Sequence, residues 1–353
     1  MASTSVLESM TPAGHENVVF GRDDATGLRA IIAVHSTALG PALGGTRMHP
    51  YASEEDALTD VLRLSEGMTF KAAAAGLDLG GGKAVIIADP ATDKTPELLH
   101  AYGRMVDRLG GSYITAEDVG TTVPDLVEVG TETRWVTGLP TEVGGSGDPS
   151  PFTARGVVAA MRAVSRRLWS TTDLTGRTVC IQGAGKVGAH LARILVDLEA
   201  AVSIADIDSD AARSVALETG AELVSADDIL STECDILAPC AMGGVMNAHT
   251  IADLRCRAVV GSANNQLAET ADAGRLARRG IVFAPDYVVN AGGIINIAFE
   301  VSASYDALRA ARAVDSIEDR TSQILEEAER NDISPTQAAG RLARARIEDA
   351  TGT

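Results

Sequence analysis

Positive charge is scarce in this 353-residue chain: 30 Lys+Arg face 48 Asp+Glu, for a net charge of -18. A surface that acidic repels phosphate backbones and anionic lipid headgroups, so neither nucleic acid nor a membrane is an expected partner. Long hydrophobic runs are missing too. No stretch approaches the roughly 18 consecutive apolar residues of a membrane span. Met1-Ala-Ser-Thr-Ser-Val-Leu-Glu8 has neither the basic start nor the apolar stretch of a secretory signal, and a cytoplasmic location is expected. The four cysteines, Cys180, Cys234, Cys240 and Cys256, show no Cys-x-x-Cys spacing, and three stand in or beside apolar runs. Buried free thiols are expected. The six histidines, among them His35, His49 and His190, lack ligand spacing, so no metal is expected.

What the chain does have is apolar material for two cores, with 45% of its residues hydrophobic. Asn17-Val-Val-Phe20 and Leu28 to Val34 read as two strands joined through Asp24-Ala-Thr-Gly27. Gly40 to Gly45 reads as a glycine-rich turn. It leads to a helix opened by a capping box, Ser53 with Asp56 in place of the usual Glu or Gln, whose stripe runs through Ala57, Leu58, Val61, Leu62 and Leu64. Thr95-Pro96-Glu97 opens a second helix. The Gly-, Pro- and Ser-rich stretch from Val136 to Pro149 reads as the domain junction, and Ser150-Pro151 as the cap of a long helix. Beyond Gly176 the order strand, glycine turn, helix, strand begins a parallel α/β unit, with later strands at 235–238, 258–260 and 281–283. Ser334-Pro335-Thr336-Gln337 announces the last helix.

The strand Arg177 to Gln182 runs into Gly183-Ala-Gly185-Lys-Val-Gly188 and then an amphipathic helix. In a dinucleotide loop Gly183 makes the tight turn, Gly185 lets backbone approach a pyrophosphate, and Gly188 permits close helix packing. Helix N-terminal N–H groups meet the phosphate charge. A second strand, Ala201 to Ala205, ends in Asp206, the right distance on for a ribose 2′-OH acceptor. A carboxylate there repels a 2′-phosphate and favours NAD over NADP. The plainer alternative is a surface aspartate at a strand end.

Two lysines twelve residues apart, in Glu66-Gly-Met-Thr-Phe-Lys71 and Gly80-Gly-Gly-Lys83, carry the chemistry of the first region. Glycine weakens regular structure, so three of them before Lys83 imply that a ligand or another stretch of backbone comes close. Partial burial and a neighbouring cation both lower a lysine pKa, which suits Lys83 to act as a base. Lys71, if it stays charged, grips a carboxylate, and Asp118 offers an acid on a nearby turn. The spacing fits two solvated lysines flanking a tight turn equally well.

Six segments together resemble the glutamate/leucine/phenylalanine/valine dehydrogenase family over nearly the whole chain. They are Gly40-Pro-Ala-Leu-Gly-Gly-Thr-Arg47, Gly67-Met-Thr-Phe-Lys71, Leu79-Gly-Gly-Gly-Lys83, Thr115-Ala-Glu-Asp-Val-Gly120, Gly261-Ser-Ala-Asn-Asn265 and Pro285 to Gly293. The resemblance implies an α/β fold of two domains separated by a cleft. Residues 1–148 form the substrate-binding and oligomerisation domain, and 149–304 a Rossmann-type doubly wound NAD-binding domain. The helices of 305–353 are expected to pack back on the first domain. It also implies a homo-oligomer, and reversible oxidative deamination of an L-amino acid to a 2-oxo acid and ammonia, with closure of the domains excluding water.

Residue by residue, the resemblance makes Lys71 the carboxylate clamp, Lys83 the lysine that activates water, and Asp118 the proton shuttle. Gly45, Met68 and Asn264 fall at further substrate positions. Ala184, Lys186, Val187 and Ile207 join the glycines and Asp206 around the cofactor, with Thr153, Cys240, Ala241 and Asn264 near its nicotinamide end. Glutamate dehydrogenases of the family carry a lysine where this chain has Leu43, and a buried glutamate side chain without that partner is costly. Phenylalanine enzymes tend to have glycine at the position of Ala116. With Ile294 and Ile297 sharing a helical face, the expected pocket is apolar and shallow, for valine, leucine or isoleucine ahead of phenylalanine.

Overall fold

Strands, most of them buried along nearly their whole length, alternate with helices along the chain and form two sheets. The computed structural model describes residues 5–301 and 305–352. Residues 1–4 of the N-terminal stretch, and 302–304 at the expected domain end, lie outside the described residues. The chain divides into two compact units: Met1–Asp148 with Ile297–Tyr305 and Ala343–Thr353, and Pro149–Asn296 with Asp306–Leu342.

The first unit contains α1 (Val6–Met10), β1 (Asn17–Asp23), β2 (Leu28–Ser36), β3 (Ala42–His49), α2 (Glu54–Ala74), β4 (Gly80–Ile87), α3 (Pro96–Asp107), β5 (Tyr113–Glu117) and α4 (Val123–Gly130). Its sheet runs β1-β2-β4-β3-β5, antiparallel across β1, β2 and β4 and parallel across β4, β3 and β5. Successive side chains of a strand face opposite sides. Thus Ile32, Val34, Ala84 and Ile86 join α3 and α4 in one core cluster, while Ile31, Ala33 and Val85 pack on Ala57, Val61 and Leu62 of α2 in another. Lys83, two residues before Val85, shares the α2 face.

Gly40 to Gly45 departs from the expected turn: all but its first two residues belong to β3, a central strand. Both neighbouring strands come too close for side chains at Gly44 and Gly45. A Cβ on Gly44 would lie 1.7 Å from Gly82 O, and one on Gly45 2.5 Å from Glu117 O. Ser53 does cap α2, accepting from Asp56 N. Asp56, a methylene shorter than Glu, bonds the Ser53 hydroxyl in return, at 2.8 Å.

The second unit contains α5 (Ser150–Trp169), β6 (Thr178–Gln182), α6 (Lys186–Asp197), β7 (Ala201–Ala205), α7 (Ser209–Thr219), β8 (Glu222–Leu223), β9 (Ile236–Pro239), α8 (Ala248–Asp253), β10 (Ala258–Val259), α9 (Ala271–Arg278), β11 (Val282–Phe283) and α10 (Asp286–Val289). Ser150 is the first residue of α5 and not its cap; Pro149 holds that position. The sheet is parallel throughout, in the order β11-β10-β9-β6-β7-β8. Counted from β6, that is the doubly wound order 3-2-1-4-5-6, whose switch point lies between β6 and β9. Cys180, Cys234 and Cys256 are buried in its core, and Cys240 is half-buried; all four are free thiols.

The chain then runs through α11 (Gly292–Val301), α12 (Ala307–Asp315), α13 (Ile317–Arg330) and α14 (Pro335–Thr351). The C-terminal helices do not all pack back on the first domain as expected. Residues 306–342 belong to the second unit, because α12 and α13 dock on α5. Arg155 makes a two-pronged pair with Asp315 at 2.6 and 2.7 Å, and Gly156 leaves space for Ile317. Only Ala343–Thr353 joins the first unit, where Arg346 donates to Leu77 O and to Asp78 at 2.7 Å each. Among the described residues, no helix is long and apolar enough to cross a membrane.

Candidate active site

Three glycines begin β4, and the space beside each is filled by protein. A Cβ would lie 2.0 Å from Ser36 O at Gly80, 2.0 Å from Thr69 N at Gly81 and 2.7 Å from the Tyr113 ring at Gly82. Of the two explanations open from sequence, close approach of the chain itself is the one realised. Helix α2 is thereby pressed onto β4 at Thr69, two residues before Lys71, beside Gly81, two residues before Lys83. Both lysines lie in these abutting segments. Lys83 is only 6% exposed, which rejects the reading of two solvated surface charges. Lys71 and Met68 are half-buried in α2.

Lys83 Nζ lies 2.8 Å from Asp118 Oδ2, at the C-terminal end of β5. Arg47 Nε donates to the same oxygen at 3.2 Å. Burial pushes the Lys83 ammonium pKa down, and the Arg47 charge adds to this; together they outweigh the Asp118 and Asp60 carboxylates, which act upward. Burial pushes Asp118 up, but the charges of Lys83 and Arg47 hold it below its ordinary 3.8. The pair therefore combines an ionised carboxylate with an amine that gives up its proton more readily than a free lysine. Such an arrangement suits proton transfer.

Hydroxyls buried in the sheet fix the floor of this site. Thr46 Oγ1 bonds Tyr102 OH at 2.5 Å and Thr115 Oγ1 at 2.6 Å, and Tyr113 OH donates to Gly44 O at 2.6 Å. Gly45 and Ala116 are ladder partners, and a Cβ on Gly45 would meet Asp118 Cβ at 2.8 Å. Leu43 is fully buried on β3, and Ala116 is 7% exposed.

In the second unit Gly183 adopts φ 109°, and a Cβ there would meet Cys240 and Ala241 at about 3.0 Å. The turn after β6 thus touches the turn after β9 at the switch point. A Cβ on Gly188 would lie 1.9 Å from Gly183 O, whereas beside Gly185 there is nothing within 4 Å. That open space, at an α6 N-terminus without a side-chain cap, suits a pyrophosphate. Asp206 Oδ2 accepts from Ala184 N at 2.6 Å and Oδ1 from Asp208 N at 2.9 Å, so the acid also braces the loop. A cavity of about 260 Å³ lies between Gly183, Asp206, Ile207, Ala241 and Met242. Ile207 and Met242 are 95% and 78% exposed, apolar surface that a flat ring would cover. These residues fit a dinucleotide. Lys186 and Val187 open α6.

Thr153 lies in the first turn of α5. Gly293 approaches it so closely that a Cβ would come 2.9 Å from its hydroxyl. Asn264 Oδ1 accepts from Asn290 Nδ2 at 2.7 Å. Ile294 falls in the second unit and Ile297 in the first, both on α11. Arg47, Asp60 and Asn290 carry no signal of their own in the sequence. Arg47 and Asn290 stand inside segments that resemble the family, but Asp60 looks like any exposed acid of a helix.

Residues 15–135 match the family described as Glu/Leu/Phe/Val dehydrogenase, dimerisation domain, and 209–353 match Glutamate/Leucine/Phenylalanine/Valine dehydrogenase. Residues 152–260 also match the NAD binding domain of D-isomer specific 2-hydroxyacid dehydrogenases. The chain is 48% identical to leucine dehydrogenase of Bacillus subtilis over 343 residues, covering 97% of this chain and 94% of that one. It is 47% identical to phenylalanine dehydrogenase of Thermoactinomyces intermedius over 348 residues, 98% of this chain and 95% of that one. The crystal structure of L-tryptophan dehydrogenase from Nostoc punctiforme superposes with a TM-score of 0.89 at 41% identity, over 98% of this chain and 100% of that one. A buried lysine–aspartate pair in one unit, a dinucleotide fold in the other and likeness along nearly the full length agree: the chain belongs to the glutamate/leucine/phenylalanine/valine dehydrogenase family of nicotinamide-dependent amino-acid dehydrogenases.

Proposed function

We propose that this enzyme oxidatively deaminates branched-chain aliphatic L-amino acids with NAD. The observation that carries the chemistry is the buried Lys83–Asp118 contact of 2.8 Å. Lys71 pairs with the substrate α-carboxylate. Asp118 moves a proton to and from the amine. Lys83, in its neutral form, takes a proton from the water that attacks the iminium carbon, and ammonia leaves. NAD, when bound, supplies the acceptor for the hydride from Cα. Gly45, Met68 and Asn264 line the substrate; Thr153, Cys240 and Ala241 orient the nicotinamide end.

The apolar side chain of Leu43 and the methyl group of Ala116 support an aliphatic substrate, as does the likeness to leucine dehydrogenases. Ile294 and Ile297, on α11, are further apolar positions in keeping with an aliphatic substrate. A panel of kcat/KM values over L-valine, L-leucine, L-isoleucine, L-phenylalanine and L-glutamate is the decisive experiment. Aliphatic substrates are expected to lead phenylalanine by roughly tenfold or more, the worth of one or two methylenes. A lead for phenylalanine would move the enzyme to the second reading that its 47% identity to a phenylalanine dehydrogenase supports.

Asp206 supports NAD over NADP, because its carboxylate sits at the end of β7 where a 2′-phosphate would come. Asp206→Asn keeps an acceptor for Ala184 N but loses the charge. It is expected to lower the NAD/NADP ratio of kcat/KM roughly ten- to hundredfold, the scale of one hydrogen bond to a charged group. An unchanged ratio would place cofactor selection elsewhere. The description of residues 15–135 as a dimerisation domain supports a homo-oligomer, and β1 is a sheet edge with Phe20 half-exposed.

A further inference from the structure

We infer that Arg47, held by Asp60, is a positioning residue that aims the Lys83–Asp118 pair and keeps Lys83 ready to accept a proton. The inference rests on the reading of Lys83 as the base. Arg47 lies on β3, two residues beyond Gly45, and its guanidinium bridges two carboxylates. Nε donates to Asp118 Oδ2 at 3.2 Å, the oxygen that Lys83 Nζ meets at 2.8 Å. Nη1 donates to Asp60 Oδ2 at 2.8 Å, on α2. Asp60 is itself fixed, accepting from Tyr51 OH at 2.7 Å and from Arg63 Nη2 at 2.9 Å.

Four side chains, Arg47, Asp60, Tyr51 and Arg63, thus hold the catalytic carboxylate from behind. The side chains of Arg47 and Asp60 are only 23% and 16% exposed, so solvent screens them weakly. A planar fork spanning two acids is a geometry that a single ammonium group does not reproduce. Burial holds Asp60 up, but Tyr51, Arg63 and Arg47 bring it below its ordinary 3.8, so it remains an anion for Arg47 to lean on. Other titratable groups on this face of the sheet include Glu66 and Lys71 of α2, and His35 of β2, which bonds Thr69 at 2.8 Å and packs edge-on against His15.

The sign of the effect follows from charge. Removing the Arg47 cation leaves the protons of Lys83 and Asp118 more tightly held, so the unprotonated base forms only at higher pH. In Arg47→Gln the acid limb of the pH profile of kcat/KM is expected to move up by roughly one pH unit. Arg47→Lys keeps the charge; its limb should stay near the parent's while kcat falls roughly tenfold from lost aim. An unmoved limb in Arg47→Gln, with thermal stability alone reduced, would overturn the inference.

Asp60→Asn frees Arg47 without altering β3 and decides the matter if Arg47→Gln does not fold. It should lower kcat roughly tenfold with KM within about twofold, and Asp60→Glu should restore part of it. Parent kcat in Asp60→Asn would overturn the anchoring role. If Lys83→Ala is inactive while the Arg47→Gln limb is unmoved, this inference alone fails; if Lys83→Ala keeps its activity, the reading beneath it fails.

Discussion

Lys83→Ala should lower kcat by roughly 10²–10⁴-fold, the range expected for loss of a general base, while a 2-oxo acid still binds. The substitution removes the amine that meets Asp118 at 2.8 Å and leaves Arg47 to hold the carboxylate in place. Asp118 is therefore not stranded as an unpaired buried charge, and the loss should fall on turnover more than on folding. Binding should survive because the proposed carboxylate clamp, Lys71, lies on another element, α2. NADH formation at saturating substrate, with 2-oxo acid affinity measured by product inhibition, separates the two. A near-parent kcat would assign the proton transfer to another group.

Gly44→Ala should destabilise the protein by about 3 kcal/mol or more, at the upper end of overpacking costs. Its Cβ would lie 1.7 Å from Gly82 O and 2.7 Å from Gly82 C. The β4 backbone cannot rotate away as a side-chain tip can. The strands must separate, and β3 with β4 is the pairing that carries Gly45, Arg47 and Lys83. Activity should fall along with the thermal midpoint. Gly67→Ala serves as the contrast: it sits in α2 with nothing within 4 Å, and should be neutral or slightly stabilising. Equal midpoints for the two variants would contradict the packing described for β3.

Much of the fold was legible because its signals are local. Thr95-Pro96 and the Ser334/Gln337 box cap their helices as the sequence indicates, with Ser334 N reaching Gln337 Oε1 at 3.0 Å. The fingerprint after β6 has its glycines where a tight turn, an open approach and close packing need them. Asp206 was legible by spacing alone, yet its bond to Ala184 N was not, since that bond depends on how β6 and β7 pair.

The amino-acid order by itself determined most element types, the two α/β halves and the dinucleotide loop, because caps, period and glycine turns act within a few residues. Only the tertiary structure decided that Gly40 to Gly45 is mostly strand, since nothing local shows that two neighbouring strands leave no room for side chains. It alone also decided that the glycines before Lys83 admit Thr69 and Tyr113, and that α12 and α13 dock on α5. Most of all it decided the company of Lys83. The charges that tune it, Asp118, Arg47 and Asp60, come from three elements distant in sequence, and electrostatic strength depends on distance and burial, which only the folded chain sets.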